Sequence, residues 1–179
     1  CEHNIDLSIC NKNSCEVCPR LNTLIPLNHN RLKTVCPLNM TSFNCQTTCC
    51  IYMIKCNNCT MKYVGMTKRK VKSRFGEHTL HIKNHINNTL KNSPKTLFYS
   101  HFKNGSCSNM DLTFFILEKV SDHRQLRDRE LFWIKLINSV YPYGFNDNVK
   151  NIGNIRTYSD KNINPFCCLR IKRNKRSHG

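Results

Sequence analysis

The stretch that most constrains this chain runs from Cys50 to Gly65. Two apolar runs, Ile51 to Lys55 and Met61 to Gly65, flank a polar turn at Asn57-Asn58. Short runs rich in β-branched and aromatic residues around such a turn read as a β-hairpin. Alternation puts Tyr52 and Ile54 on one face and Ile51 and Met53 on the other. Tyr52 and Tyr63 stand on opposite strands, and Cys56 and Cys59 bracket the turn as Cys-x-x-Cys. Taken alone, either tyrosine reads as cross-strand aromatic packing.

The downstream pattern alternates helix and strand. Thr67 is positioned to cap a helix reaching about residue 87, with Val71, Phe75, Ile82 and Ile86 on one stripe. Arg74 and His78, four apart, share a face of it. Ser93 as cap, Pro94 in the first turn and Gly105 past the end mark a second helix, with Leu97, Phe98 and Phe102 on its apolar side. Leu112 to Leu117 predicts a third strand, buried on at least one face. Asp122 or Ser121 caps a last helix that runs to about Val140 and is stopped by Pro142. Its stripe is Leu126, Trp133, Ile134 and Ile137, and Glu130 falls inside it. A carboxylate placed there needs a cation or donors, and Arg124, Arg127 and Arg129 offer a plain salt bridge. The expected fold is α/β, a small three-stranded antiparallel sheet flanked by helices. It occupies residues 50–150, between a cysteine-rich segment at 1–49 and a basic tail at 151–179.

Charge narrows the partners. Twenty-eight Lys and Arg against 11 Asp and Glu give +17, which calls for a polyanion, nucleic acid first and an anionic membrane second. The basic residues are spread through a folded pattern rather than along one amphipathic face, which favours nucleic acid. No apolar run is long enough to span a bilayer, and no secretory signal is seen. The run Arg170 to Arg176 reads as a solvated tail, a phosphate-binding arm or a nuclear address. The start at Cys1 rather than Met is expected of a fragment or a trimmed chain. No fixed-period repeat occurs.

Thirteen cysteines, an odd count, with Cys-x-x-Cys spacings and a basic profile, point to zinc in a reducing compartment rather than to disulfides. Cys10, Cys15 and Cys18 form Cys-x4-Cys-x2-Cys, and Cys45 lies just before the hairpin. Four thiolates there could close a tetrahedral site and staple a segment too poor in periodic apolar residues to pack a core unaided. Cys36 is the rival for the fourth position, and a flexible linker with incidental thiols is the alternative. Cys167-Cys168 has no assigned role.

Ile51-Tyr52 with Tyr63-Val64-Gly65 resembles the two signatures of GIY-YIG endonucleases. The Cys-x-x-Cys between them resembles the subgroup carried by Penelope-like retroelements. The resemblance covers roughly Cys45 to Asn146, with Cys50 standing where the first Gly of the name motif belongs. Gly65-Met66-Thr67 followed by Arg74 and Glu77-His78 is similar to the family's pattern after its second motif, where the Arg and a His or Tyr one turn later line the active site. Arg129-Glu130-x-Phe132-Trp133-Ile134 looks like the segment whose Glu holds a single divalent metal. Tyr143-Gly144-Phe145-Asn146 resembles the closing motif, whose Asn supports the site by hydrogen bonding. Related retroelement sequences usually carry two His where His101 and Cys107 stand, completing a zinc site with Cys56 and Cys59. Cys serves zinc equally well, and His81 with His85 is the other completion. Similar cysteine offsets upstream support the group Cys10, Cys15, Cys18 and Cys45.

The resemblance implies a nuclease that nicks double-stranded DNA. Glu130 would hold one Mg²⁺ or Mn²⁺ and Arg74 would contact the scissile phosphate. Tyr52 would orient or deprotonate water, with Tyr63 and His78 assisting; which of the three takes the proton is open. The nick would expose a 3′ hydroxyl for reverse transcription of element RNA in the nucleus, by a reverse transcriptase domain or partner. The competing readings are a zinc-stabilised nucleic-acid-binding module without cleavage and a homing or repair nuclease of the same fold.

Overall fold

The computed structural model describes residues 6–7, 10, 15–22, 25–29, 32–35, 42–89, 94–103, 107 and 110–147. The predicted hairpin forms. Strand β6 (Cys50–Cys56) pairs antiparallel with β7 (Lys62–Thr67), Tyr52 facing Gly65 across the ladder and Ile54 facing Tyr63. The predicted third strand, β8 (Leu112–Lys119), lies antiparallel on the other side of β6.

The sheet has four strands, not three. A short strand β2 (Leu21–Asn22) adds in parallel to β8, giving the order β2-β8-β6-β7. A two-residue strand has no alternation to read, and its partner lies far away in the chain. The N-terminal segment also forms β1 (Asp6–Leu7) paired with β5 (Ser42–Phe43), and β3 (Ile25–His29) paired with β4 (Leu32–Val35).

Both faces of the sheet are covered, which explains the nearly unbroken apolar runs in β6 and β8. On one face Cys50, Tyr52, Ile54, Phe114 and Ile116 pack under α1 (Val71–Ile86) and α2 (Leu97–Ser100), with Cys15, Val17, Leu21, Phe43 and Cys45 beside them. On the other face Ile51, Met53, Phe115 and Leu117 pack against Leu126, Trp133, Ile134 and Ile137 of α3 (Leu126–Ile137). The N-terminal segment is thus built onto a core that the rest of the chain supplies.

The helix starts differ from expectation. Thr67 stays in β7, its hydroxyl accepting from the Arg69 amide at 3.1 Å. Helix α1 starts at Val71, and its first amides donate to the carbonyls of Thr47 and Cys45, each at 2.8 Å. Backbone carbonyls from an upstream loop therefore do the capping that a side chain would otherwise do. At α2 the cap is Thr96, which accepts from the Tyr99 amide; Ser93 and Gly105 lie outside the described residues. Asp122 caps as expected, but its helix begins as a 3-10 turn at His123–Gln125. Helix α3 ends at Ile137 because Asn138 turns left-handed. Among the described residues, no helix is long and apolar enough to cross a membrane.

One ionic contact fixes α3 on the sheet. The buried Glu118 of β8 accepts from Arg129 Nε at 2.9 Å to each oxygen and from Trp133 Nε1 at 2.8 Å. Removing one partner of a buried pair strands the other charge, at a loss of about 3–5 kcal/mol. Glu118→Ala is therefore expected to lower unfolding stability in urea by about that amount, and a variant as stable as wild type would show that α3 is held by apolar packing alone.

Candidate active site

The site starts from one cross-strand pair. Gly65 lies opposite Tyr52, and the Tyr52 ring leans over it. A Cβ at Gly65 would come within 2.5 Å of Tyr52 Oη and 3.0 Å of Tyr63 Cε1. No side chain fits there, so the glycine lets two phenols share one strip of sheet.

Helix α1 supplies the partners of Tyr52. Arg74 Nε donates to Tyr52 Oη at 2.9 Å, and Tyr52 Oη lies 2.7 Å from His78 Nε2. On the far side of the imidazole, His78 Nδ1 meets Tyr99 Oη of α2 at 2.9 Å. Tyr52 is fully buried. Burial and the neighbouring Tyr63 hold its pKa well above 10, against the pull of Arg74. Burial, then the Arg74 charge, push His78 well below 6.5, so it is a neutral imidazole. Glu77 accepts from Arg74 Nη1 at 3.1 Å and from Arg69 Nη2 at 2.7 Å, which orients the guanidinium.

Tyr63 stacks on Phe98, with ring centres 4.8 Å apart, and lies 6.4 Å from the Tyr52 ring. Its pKa is raised by burial and next by the negative charge of Glu130. Glu130 itself is buried, and burial raises its pKa. Arg127 pairs with it, and the Met66 backbone amide hydrogen-bonds to it, both opposing the rise. The plain salt bridge foreseen for this carboxylate is thus present, through Arg127.

Asn146 reaches in from the loop after α3. Its Oδ1 accepts from the Val64 amide at 3.0 Å and the Ser139 hydroxyl at 2.8 Å, and its Nδ2 donates to the Val64 carbonyl at 2.8 Å. It closes the edge of β7 as another strand would.

A cavity of about 590 Å³ opens beside this edge, lined among others by Tyr63, Arg74, His81, Tyr99, Glu130 and Asn146. Four of the six expected catalytic residues, Tyr63, Arg74, Glu130 and Asn146, share it. Tyr52 and His78 stand one layer behind, linked to it through Arg74 and Tyr99. Glu77 and Tyr99 belong to this network. Glu77 stood in the sequence within the Glu77-His78 pair of the family-like pattern, without a role of its own; Tyr99 carried no sequence signal.

The cysteines gather in two sets. Cys56, Cys59, His101 and Cys107 bring their ligand atoms within 4.8 Å of one another, and so do Cys10, Cys15, Cys18 and Cys45. A tetrahedral ion with Zn–S bonds near 2.3 Å needs sulfurs roughly 3.8 Å apart. Cys59 Sγ is 3.3 Å from His101 Nε2, and Cys18 Sγ is 3.5 Å from Cys10 Sγ. Each set could hold a structural metal such as zinc. No disulfide joins the described cysteines. His81 and His85 do not join the hairpin set: His85 Nε2 lies 3.0 Å from the Pro94 carbonyl oxygen, and His81 lines the cavity. Cys36 lies outside the described residues, as do Cys167, Cys168 and the basic tail.

An α/β domain with phenols, a guanidinium and one buried carboxylate converging on an open cavity has the outline of a small phosphodiesterase. The family model for the GIY-YIG catalytic domain matches residues 48–143, more than half of the chain, and the chain belongs to this family. The family is one of nucleases. No curated protein and no solved structure matches the chain.

The two cysteine sets predict about two zinc ions per chain by elemental analysis. Cys56→Ser and Cys45→Ser should each lose about one, and chelation should lower the melting temperature. A zinc-free, fully folded protein would contradict the assignment.

Proposed function

We propose that this chain is a metal-dependent endonuclease that nicks double-stranded DNA, of the type carried by Penelope-like retroelements. The observation that carries the reading is the shared cavity of Tyr63, Arg74 and Glu130, backed by the bonded row Arg74–Tyr52–His78.

A single Mg²⁺ or Mn²⁺ fits the donor set. One buried carboxylate in a cavity with room for water and phosphate suits an ion that keeps much of its hydration, and a cation would favour the ionised form of Glu130 that burial disfavours. When bound, the ion supplies positive charge at the leaving oxygen. Arg74 takes up charge on the scissile phosphate by its guanidinium. Arg127, whose side chain is 58% exposed, can leave Glu130 for the DNA backbone.

Water attacks phosphorus as the bond to the leaving oxygen breaks, and that oxygen gains a proton from solvent. Tyr63, on the cavity wall, meets the attacking water and orients it. The water's proton leaves to solvent through the open cavity, while Tyr52, held by Arg74 and His78, keeps the guanidinium in place. Tyrosine, with an ordinary pKa of about 10, is a weak base alone. His78, held neutral by burial and the Arg74 charge, accepts the Tyr52 hydrogen bond rather than storing the proton.

The retroelement reading draws on the hairpin Cys-x-x-Cys and the two cysteine sets, which match the pattern noted in the sequence. In this reading the nick leaves a 3′ hydroxyl for target-primed reverse transcription, with element RNA and a reverse transcriptase as partners in the nucleus. The charge of +17 would give strongly salt-dependent affinity for DNA.

Supercoiled plasmid with Mg²⁺ tests the reading. Glu130→Ala should lower nicking by about 10²-fold or more while DNA binding in a gel shift is retained. Equal nicking by both proteins would remove Glu130 from the chemistry, and no nicking by either would leave a binding module.

A further inference from the structure

We infer that Tyr99 is a positioning residue, whose hydroxyl oxygen holds His78 in the Nδ1–H tautomer so that the Nε2 lone pair faces the hydroxyl of Tyr52. The inference rests on the nuclease reading above for its catalytic consequence, but not for its geometry.

The assignment follows from counting donors. Tyr52 Oη already accepts the Arg74 Nε hydrogen. Its own hydrogen needs an acceptor in a fully buried setting, and His78 Nε2 at 2.7 Å is in place. A neutral imidazole with a bare Nε2 carries its hydrogen on Nδ1. That hydrogen points to Tyr99 Oη at 2.9 Å. The opposite tautomer would turn Nε2–H toward Tyr52. Two donors would then converge on one phenol, and the hydrogen of Tyr52 would lose this acceptor.

Tyr99 is built to hold its oxygen still. The residue is 5% exposed. Its ring stacks on His85, with centres 5.8 Å apart, and packs beside His81 at 5.2 Å and Phe98 at 5.1 Å. Its amide is held by the Thr96 cap. Three histidines of α1, at positions 78, 81 and 85, therefore surround one phenol. His78 meets Tyr99 through Nδ1 and Tyr52 through Nε2. A group that fixes a catalytic imidazole in one tautomer can be worth as much as about 10⁴ in rate, and a neutral phenol is expected to give less.

Tyr99→Phe keeps the ring and removes the oxygen. The test compares wild type and Tyr99→Phe, both loaded with zinc, by ¹⁵N NMR of the histidine rings and by plasmid nicking. Wild-type His78 should show the Nδ1–H pattern, and the variant should shift toward Nε2–H, the form an unanchored imidazole favours. The variant's kcat should fall about 10- to 100-fold with KM for DNA unchanged. If Tyr99→Phe does not fold, 3,5-difluorotyrosine at position 99 keeps the shape and weakens the oxygen as acceptor. It should lower kcat in the same direction. An unchanged His78 tautomer, or an unchanged kcat in a variant that has lost the oxygen, overturns the inference. If wild type itself does not nick, the nuclease reading fails, and the NMR comparison alone decides the positioning claim.

Discussion

Strand β7 is the last strand of its sheet, so half of its amides and carbonyls have no neighbouring ladder to pair with. Unpaired edges cost stability and invite association. Here outward groups of Lys62, Val64 and Met66 are taken by residues of the site. Phe145 N donates to the Lys62 carbonyl at 2.8 Å, the Asn146 side chain takes both groups of Val64, and the Met66 amide turns to Glu130. The same strand sends Tyr63 into the cavity and leaves Gly65 bare beneath Tyr52. Strand and site are thereby one structure: what completes the sheet also sets the spacing between the phenols and the carboxylate.

The cysteine sets act on this arrangement through backbone. The Cys45 and Thr47 carbonyls receive the first amides of α1, and α1 carries Arg74 and His78. A thiolate cluster that fixes Cys45 therefore fixes where the helix begins, and so the depth at which the guanidinium meets Tyr52. At the other end of the hairpin, Cys56 and Cys59 join His101 and Cys107, tying the turn to the residue that follows α2. Both clusters lie on the face that holds Tyr52, His78 and Tyr99. The opposite face relies on apolar packing and the Glu118 contacts.

Much of this was legible because it is local. Apolar runs on either side of a polar turn marked β6 and β7, a further apolar run marked β8, and a carboxylate inside an apolar stripe singled out Glu130. What the sequence hid depends on distant contacts. Strand β2 is two residues long and is defined only by its partner. Helix α1 lacks a side-chain cap because carbonyls upstream of the hairpin do that work, so Thr67 was a misleading signal. Tyr99 looked like one more aromatic on a short helix, and its hydroxyl gains meaning only when α1 packs beside it. The burial of Tyr52 was likewise invisible: alternation gave its face, while its depth comes from α1 lying over the sheet.

The site geometry rests on Glu130 and Tyr63 facing the same cavity across the β7 edge, with Tyr52 behind them. The most direct measurement is an anomalous-scattering map of Mn²⁺ in crystals of Tyr63→Phe bound to uncleaved DNA, with zinc in the cysteine sets. One manganese peak is expected at the Glu130 carboxylate, with the scissile phosphate between it and Arg74. A peak away from Glu130, or DNA seated with its backbone outside this cavity, would contradict the placement of the chemistry.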